Sequence, residues 1–122
     1  MDAFGHVNHA VFLTYLEEAR DAAIRQVLGE AGYVMARLTI DYRQELRRTD
    51  GPVTVACRFT TIGNSSLGTR ETMRNAAGEV VAESETVIVS FDPLERRPQP
   101  WTEEQRRVLT EAGAAPRVRD DG

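Results

Sequence analysis

One long apolar helix near the start of the chain, followed by segments of alternating pattern, constrains the fold most strongly. From Ala10 to about Leu28, apolar residues recur at steps of three and four, which predicts an amphipathic helix. Asn8 is suited to cap the amino end of this helix, and Gly29 and Gly32 end it. Its first three turns are so apolar that we expect them to be covered on several sides. The apolar stripe consists of Phe12, Leu16, Ala19, Ala23 and Val27, widened by Val11, Tyr15 and Ala22.

After the helix the hydrophobic period changes to two, which is typical of strands with one buried face. Further strands are predicted over residues 53–62, 67–74 and 79–91, separated by turns rich in Gly, Asn, Asp and Ser. Because residues 87–89 are apolar on both faces, we expect the last strand to be central in the sheet. The first alternating segment, residues 34–46, carries on one face Ala36, Leu38, Ile40 and Tyr42.

The predicted elements together indicate one α+β domain over residues 1–113. Thr102 and Gln105 form a capping box that starts a short second helix, which runs to about Ala112. The polar tail, residues 114–122, is expected to be disordered. An antiparallel sheet against one long helix is the simplest two-layer packing of these elements. A sheet of four strands covers a helix on one side only, so we expect a second subunit to supply further cover.

Composition excludes several classes of function. The 122 residues fit one domain, and the net charge of −4 argues against non-specific binding of nucleic acid. No apolar run is long enough to span a bilayer, and no signal peptide is visible, which indicates a cytoplasmic protein with no membrane partner. The single cysteine, Cys57, excludes an intrachain disulfide and is expected to be a small buried hydrophobic residue.

The first nine residues place polar groups beside the start of the long helix. Asp2 precedes Gly5, and His6, Asn8 and His9 follow that glycine. The free N–H groups and positive dipole end of a helix can hold a developing oxyanion, and a nearby carboxylate can supply or direct a nucleophile. The residues alone also allow Asp2 to be a solvated terminal acid and the histidines to be structural. They do not indicate a metal site, because no third ligand accompanies His6 and His9 at a suitable spacing.

The opening motif and three later segments resemble a known family. The segment D-A-F-G-H-V-N-H-A-V-F-L-T-Y-L-E-E-A-R resembles the signature of hotdog-fold acyl-CoA thioesterases of the 4-hydroxybenzoyl-CoA thioesterase type. Supporting matches are I-D-Y-R at Ile40–Arg43, I-G-N-S-S-L at Ile62–Leu67 and E-S-E-T-V-I-V-S-F-D at Glu83–Asp92. The resemblance extends from Asp2 to about Leu109. It implies a hotdog fold, in which the sheet wraps around a central helix and two protomers join their sheets edge to edge. Pairs of such dimers often form a tetramer.

The resemblance also implies a site that hydrolyses an acyl-CoA thioester at the subunit interface, without metal or other cofactor. Asp2 matches the catalytic carboxylate, acting as nucleophile or as general base on water. The backbone N–H of His9 matches the donor that polarises the thioester carbonyl, and Gly5 permits the turn before it. Substrate-binding positions are His6, Asn8 and the turn Asn64, Ser65 and Ser66, which would lie near the pantetheine or phosphate arm of coenzyme A.

Other functions remain open from the sequence. One is a non-catalytic acyl-CoA-binding or assembly protein, because family members carry a strand before the catalytic Asp that is missing ahead of Asp2 here. Another is a hotdog hydratase for enoyl thioesters, although the spacing from Asp2 to His6 matches that branch poorly. The acyl group, and the choice between coenzyme A and an acyl-carrier protein, are not fixed. Solvated surface positions are expected for the arginines that could otherwise contact phosphate, namely Arg47, Arg48, Arg70 and Arg74.

Overall fold

The long helix forms where the apolar stripe predicts it. The computed structural model describes residues 9–44 and 51–116, without the side chains of residues 9 and 10. Helix α1 spans His9–Leu28. It ends at Gly29, which adopts a φ of 69° and donates its N–H to the Arg25 carbonyl at 2.8 Å. A left-handed glycine of this kind is a common end for a helix because it has no Cβ to clash.

One sheet carries the strands of the described chain. Its order is β1-β4-β3-β2-β6, with β5 paired to β4, and all pairs are antiparallel except the parallel pair of β2 and β6. The last long strand, β4, lies between β1 and β3, so its predicted central position is confirmed. The strands are β1 (Tyr33–Tyr42), β2 (Thr54–Ile62), β3 (Ser66–Arg74), β4 (Val80–Asp92), β5 (Arg97–Pro98) and β6 (Ala115–Pro116).

Helix α1 packs along one face of the sheet and connects two apolar clusters. Its amino-terminal half, through Phe12 and Leu16, packs with Met73 of β3 and with the start of β4. Its carboxy-terminal half, through Ile24, packs with the end of β2 and the start of β3. The two halves of α1 therefore lie at opposite ends of the sheet. The second cluster also contains Trp101 and Leu109, which bring in the short helix α2 (Glu103–Glu111).

Strand β1 departs from the predicted alternation at one point. The pairing with β4 shifts between Met35 and Arg37, so a bulge lies at Ala36. As a result Met35, opposite Ile88, shares the helix-facing side with Leu38, opposite Thr86. Ala36 was predicted to share that side, and the bulge removes it from the alternation. The strand also ends at Tyr42, earlier than predicted.

The carboxy-terminal elements show one confirmed prediction and one difference. The side chain of Thr102 accepts from the Gln105 N–H, and the Gln105 side chain accepts from the Thr102 N–H, so the predicted capping box is present. The tail was expected to be disordered from Ala114 onwards. However, Ala114 is buried and residues 115–116 pair with β2. The later tail residues lie outside the described part of the chain.

Strand β1 is an edge of the described sheet, and it is unusually exposed for an apolar strand. The exposed fractions of Val34, Met35 and Leu38 are 42%, 43% and 38%. On α1, Leu13 is 39% exposed, so part of the apolar helix is uncovered in the described part of the chain. An exposed edge strand with apolar side chains is a site for pairing with another chain. No helix within the described ranges is long and apolar enough to cross a membrane.

Candidate active site

The predicted catalytic segment lies mainly outside the described residues. Asp2, Gly5, His6 and Asn8 fall in the amino-terminal part that the structure does not describe, so their roles stay predictions. His9 is the first residue of α1, and the structure describes its backbone only. What the structure defines is the position of the helix end to which these residues lead.

The first turn of α1 lies at the end of the sheet where β1 finishes. Phe12 is 2% exposed, and its ring lies 5.5 Å from the ring of Tyr42, the last residue of β1. The first N–H groups of a helix have no partner within it and carry the positive end of the dipole. This end of α1 can therefore stabilise negative charge on an oxygen held beside it, close to β1, which is an edge strand of the described sheet.

The turn Asn64, Ser65 and Ser66 is held rigidly by backbone contacts. The Ser65 carbonyl accepts from the Ser90 N–H at 2.8 Å, and the Asn64 carbonyl accepts from the Trp101 N–H at 3.0 Å. The Trp101 indole N–H donates to the Ser66 carbonyl at 2.9 Å. The Asn64 side chain is exposed, and no hydrogen bond joins it to any described residue. The backbone of the turn is thus held in place by these hydrogen bonds, and the Asn64 side chain faces solvent.

Two residues that support this turn were not singled out from the sequence. Trp101 is buried and packs in the cluster at the carboxy-terminal half of α1. Arg106 of α2 donates to the carbonyls of Gly63 and Asn64 at 3.0 and 3.3 Å. The capping box places Arg106 in the first turns of α2, but nothing in the sequence indicates that α2 returns to the turn between β2 and β3.

The first turn of α1 and the Asn64 turn lie at opposite ends of the sheet. The first turn of α1 lies with Met73 and Val81, whereas the Asn64 turn lies with Leu67 and Trp101 at the other end of the sheet. Helix α1 has 20 residues, so its own two ends are ~30 Å apart at 1.5 Å per residue. The described part of one chain therefore holds these two elements far apart.

A buried polar cluster separates the two apolar clusters under α1. Arg20 and Glu71 of β3 are 3% and 0% exposed, and the Arg20 Nη2 lies 3.2 Å from Glu71 Oε1. The same carboxylate accepts from Ser84 at 2.6 Å and from Thr86 at 3.1 Å through Oε1, and from Thr69 at 2.6 Å through Oε2. A buried charge needs a partner and several hydrogen bonds, and Glu71 has both.

The sequence contains a signal for this cluster. Phe12, Leu16, Arg20 and Ile24 are spaced four apart, so Arg20 occupies a position of the buried stripe. A charged residue on a buried helix face needs a buried counter-charge. The sequence does not say which acid supplies it, because Glu71 lies 51 residues away on a different element.

Cys57 lies beside the same carboxylate and is not suited to nucleophilic catalysis. Its Sγ is 3.5 Å from Glu71 Oε2. Burial, followed by the charge of Glu71 and the hydrogen bond to it, raises the pKa of the Cys57 thiol to about 12. The thiolate is the reactive form, so this thiol is inert near neutral pH. The half-buried position agrees with the predicted structural role.

The outer face of the sheet, away from α1, carries charged pairs. Glu83 accepts from Arg43 at 2.9 Å, and Arg70 donates to Glu85 at 2.8 Å. The hydrogen bond from Arg43, with the neighbouring arginine charges, lowers the pKa of Glu83. Arg74 donates to the Gly78 carbonyl. Two of the four arginines considered for phosphate contact thus have local partners, while Arg47 and Arg48 lie outside the described residues.

Two hollows in the described surface do not include the predicted site residues. One of ≈ 330 Å³ lies at the end of α1 and is lined by Asp21, Arg25 and Tyr33, among others. The other, of ≈ 350 Å³, lies on the outer face around Gly68. Among the residues that the structure describes, no group of His, Cys, Asp and Glu side chains is arranged to hold a metal ion.

Comparisons with known proteins agree with the architecture. A family model described as the thioesterase-like superfamily matches residues 1–109. A thioesterase from Thermus thermophilus, solved with coenzyme A and Zn, is 33% identical, with a TM-score of 0.81; the match covers 92% of this chain and 85% of that one. A predicted thioesterase from Bacillus stearothermophilus is 27% identical, with a TM-score of 0.82 and coverage of 95% and 90%.

A more distant match supports the fold alone. A Staphylococcus aureus protein described as hypothetical, solved in complex with CoA, is 14% identical, with a TM-score of 0.83 over 97% of this chain and 80% of that one. The comparison with curated proteins found no match. The predicted α+β hotdog architecture is confirmed by the solved structures. The match over residues 1–109 and the 33% identity to the Thermus protein together establish that this chain belongs to the thioesterase-like superfamily.

Proposed function

We propose that the protein hydrolyses an acyl-CoA thioester to a free acid and CoA. Asp2 acts as nucleophile or as general base on water, and the backbone N–H of His9 holds the thioester oxygen as it becomes negative. The oxygen of water ends on the acyl carbon, the carbon–sulfur bond breaks, and coenzyme A leaves as the thiol. Family membership and the coenzyme A bound to the Thermus relative support the substrate class.

The rest of the predicted segment supplies positioning and binding. Gly5 permits the turn between Asp2 and α1, and His6 and Asn8 flank the reacting carbonyl. The chemistry needs no metal and no cofactor beyond the coenzyme A of the substrate. One preorganised donor of the kind proposed for His9 contributes about 3–4 kcal/mol to lowering the barrier.

The separation between the two parts of the site is the observation that carries the proposal of an interfacial site. Tyr33 at the start of β1 pairs with Ser90, which donates to the Ser65 carbonyl. Tyr42 at the end of β1 packs on Phe12 in the first turn of α1. The Asn64 turn therefore lies at the same end of the sheet as the start of β1, with β4 between them, and the amino end of α1 lies beside the last residue of β1.

Antiparallel pairing of two copies along β1 brings these parts together. A two-fold axis between the strands sets the start of one β1 opposite the end of the other. The Asn64 turn of one protomer then lies on the same side as the amino end of α1 in its partner. Each homodimer holds two equivalent sites, with a catalytic segment from one chain and a coenzyme A-binding turn from the other.

The exposed apolar surface of β1 favours a second copy as its partner. Val34, Met35 and Leu38 would be covered by β1 of the other protomer, and the exposed strand edge would be hydrogen-bonded. The outer face carries paired charges at Glu83 and Arg70, which suits a solvated surface more than a dry contact between sheets. We therefore propose a homodimer as the functional unit; the tetramer and the cytoplasmic location stay predictions.

Release of free thiol from a panel of aliphatic and aromatic acyl-CoAs tests the reaction. Asp2→Asn removes the charge at nearly constant size, and the rate should fall at least a hundredfold. Glu95→Gln, which neutralises an exposed acid in the turn after β4, serves as the control and should leave the rate unchanged. Equal rates for wild type and Asp2→Asn would refute the catalytic role. Tight binding of acyl-CoA without turnover would instead favour the non-catalytic binding protein.

A further inference from the structure

The pair Arg20 and Glu71 lies where an apolar contact would serve stability at least as well. Arg20 follows Leu16 and precedes Ile24 on the buried stripe of α1, and Glu71 lies between Leu67 and Met73 on the helix-facing side of β3. Replacing a buried ion pair by well-packed apolar residues is often neutral or stabilising. Stability alone therefore does not explain why a charged pair lies between α1 and β3 at this position.

The geometry of the pair restricts how α1 can lie on the sheet. The Arg20 Nε and Nη2 both approach Glu71 Oε1, at 3.4 and 3.2 Å. Glu71 is itself fixed by hydroxyl groups from two strands, through Thr69 of β3 and Ser84 of β4. The Thr69 and Thr86 hydroxyl oxygens lie 2.6 Å apart, so one of these two hydroxyls can donate its single proton to the other instead of to Glu71. The carboxylate is thus a fixed point of the sheet, and the guanidinium attaches α1 to that point.

Apolar contacts on either side do not define the axial position of the helix equally well. The amino-terminal cluster around Phe12 and Leu16 and the carboxy-terminal cluster around Ile24 consist of non-directional contacts. Such contacts are less directional than charge-assisted hydrogen bonds, so they define the axial position of a helix less sharply than an Arg–carboxylate pair does. A slide of α1 by one residue would displace its first turn by ~1.5 Å. Displacements of this size at a catalytic group lower the rate strongly.

We propose that Arg20 and Glu71 form a positioning pair that sets the register of α1 and so places its first turn at the edge of β1. The inference rests on the proposed function, because the first turn of α1 is the element proposed to hold the thioester oxygen. Neither residue touches the substrate. Their effect is transmitted along α1 from Arg20 to the amino end, over a rigid helix tied to β1 by Phe12 and Tyr42.

The test separates positioning from stability. The double variant Arg20→Met/Glu71→Gln removes both charges at once, so no buried charge is left unpaired, and the introduced amide keeps partners for Ser84 and Thr69. We expect a folded protein whose kcat falls at least tenfold while KM changes less than threefold. Arg20→Lys, which keeps the charge but loses the planar fork, should recover part of the lost kcat.

Ile24→Val provides the matched control, since it removes one methylene group from the same face of α1 without altering the ion pair. It should lower stability and leave kcat unchanged. A double variant with wild-type kcat would overturn the proposal, as would an equal fall in kcat for Ile24→Val.

Hydrogen exchange supplies a readout that does not depend on the reaction. Backbone amides of Leu13 and Leu16, which are hydrogen-bonded within the first turns of α1, should exchange at least tenfold faster in the double variant than in Ile24→Val. Equal exchange in both variants would contradict positioning by the pair. If the wild type hydrolyses no acyl-CoA and the exchange difference is nonetheless present, the proposed function fails while the positioning role stands.

Discussion

Phe12 and Tyr42 join the first turn of the long helix to the last residue of the edge strand. Their ring centroids are 5.5 Å apart with planes inclined at 31°, and Phe12 is almost fully buried. This contact fixes the amino end of α1 beside β1, an edge strand of the described sheet. The helix end proposed to hold the thioester oxygen is therefore positioned by the same strand that is proposed to form the dimer.

A double-mutant cycle on this ring pair should show coupling. Phe12→Leu and Tyr42→Leu keep apolar bulk at each position, while the double variant removes both rings. We expect a coupling free energy of about 0.5–1.5 kcal/mol, the usual value for an aromatic pair beyond its buried area. Urea unfolding of the four proteins measures it. Strict additivity of the two single effects would show that the rings do not support one another.

A charge at the exposed edge of β1 should separate the protomers. Leu38→Glu places a carboxylate in the middle of the proposed interface, and we expect a monomer at micromolar concentration with activity reduced at least tenfold. Light scattering and the thiol-release assay measure both effects. Leu94→Glu is the control, because Leu94 is 91% exposed in the turn after β4, outside β1. A dimer that survives Leu38→Glu, or dissociates with Leu94→Glu, would contradict the assignment.

The buried thiol should make stability fall at alkaline pH. The pKa of Cys57 is raised from 9.0 to about 12, so above pH 9 the unfolded chain loses a proton that the folded chain retains. The free energy of unfolding then decreases as the pH rises towards about 12. The slope should be smaller than the ~1.4 kcal/mol per pH unit expected for one full proton, because the thiol is only partly buried.

Two properties of the chain allow the pH dependence of stability to be assigned to Cys57. The sequence contains no lysine, so few other side chains titrate in that range. Cys57→Ser keeps a donor for Glu71 and does not titrate, and its stability should decline less steeply between pH 9 and 11. Parallel curves for the two proteins would show that the thiol titrates normally in the folded state.

Gly68 should tolerate no side chain on the outer face of β3. A Cβ at this position would lie 2.5 Å from the Thr61 Oγ1 and 2.7 Å from the Thr60 Oγ1. Threonine is short and β-branched, so these atoms have little freedom to move. Gly68→Ala should therefore cost about 1–3 kcal/mol by chemical denaturation. Thr60→Ala/Thr61→Ala in the same chain should recover part of that loss, and an undiminished loss would point to a different cause.

The sequence predicts the local elements well because their signals are local. The apolar stripe and Gly29 define α1, Thr102 and Gln105 define the start of α2, and Gly78 adopts the positive φ expected for the hairpin, 85°. The bulge at Ala36 has no comparable signal, since an extra residue in a strand depends on the partner strand.

The candidate site is less accessible from sequence because its parts depend on long-range contacts. The spacing of Arg20 on the stripe indicates a buried counter-charge but not its identity as Glu71. The separation of the Asn64 turn from the amino end of α1 follows only from the packing of α1 across the whole sheet. Asp2 and its neighbours lie outside the described residues, so their proposed roles depend on the motif.

Subunit complementation tests the central claim most directly. Asp2→Ala removes the proposed carboxylate, and Asn64→Glu places a repelling charge on the exposed turn proposed to bind the phosphate arm; each variant alone should be nearly inactive. In a mixed dimer, one site carries both changes and the other carries neither. An equimolar mixture refolded together should then regain about a quarter of the wild-type rate, because half of the dimers are mixed and each has one intact site. A mixture that stays as inactive as the two separate variants would show that the site is not shared between protomers.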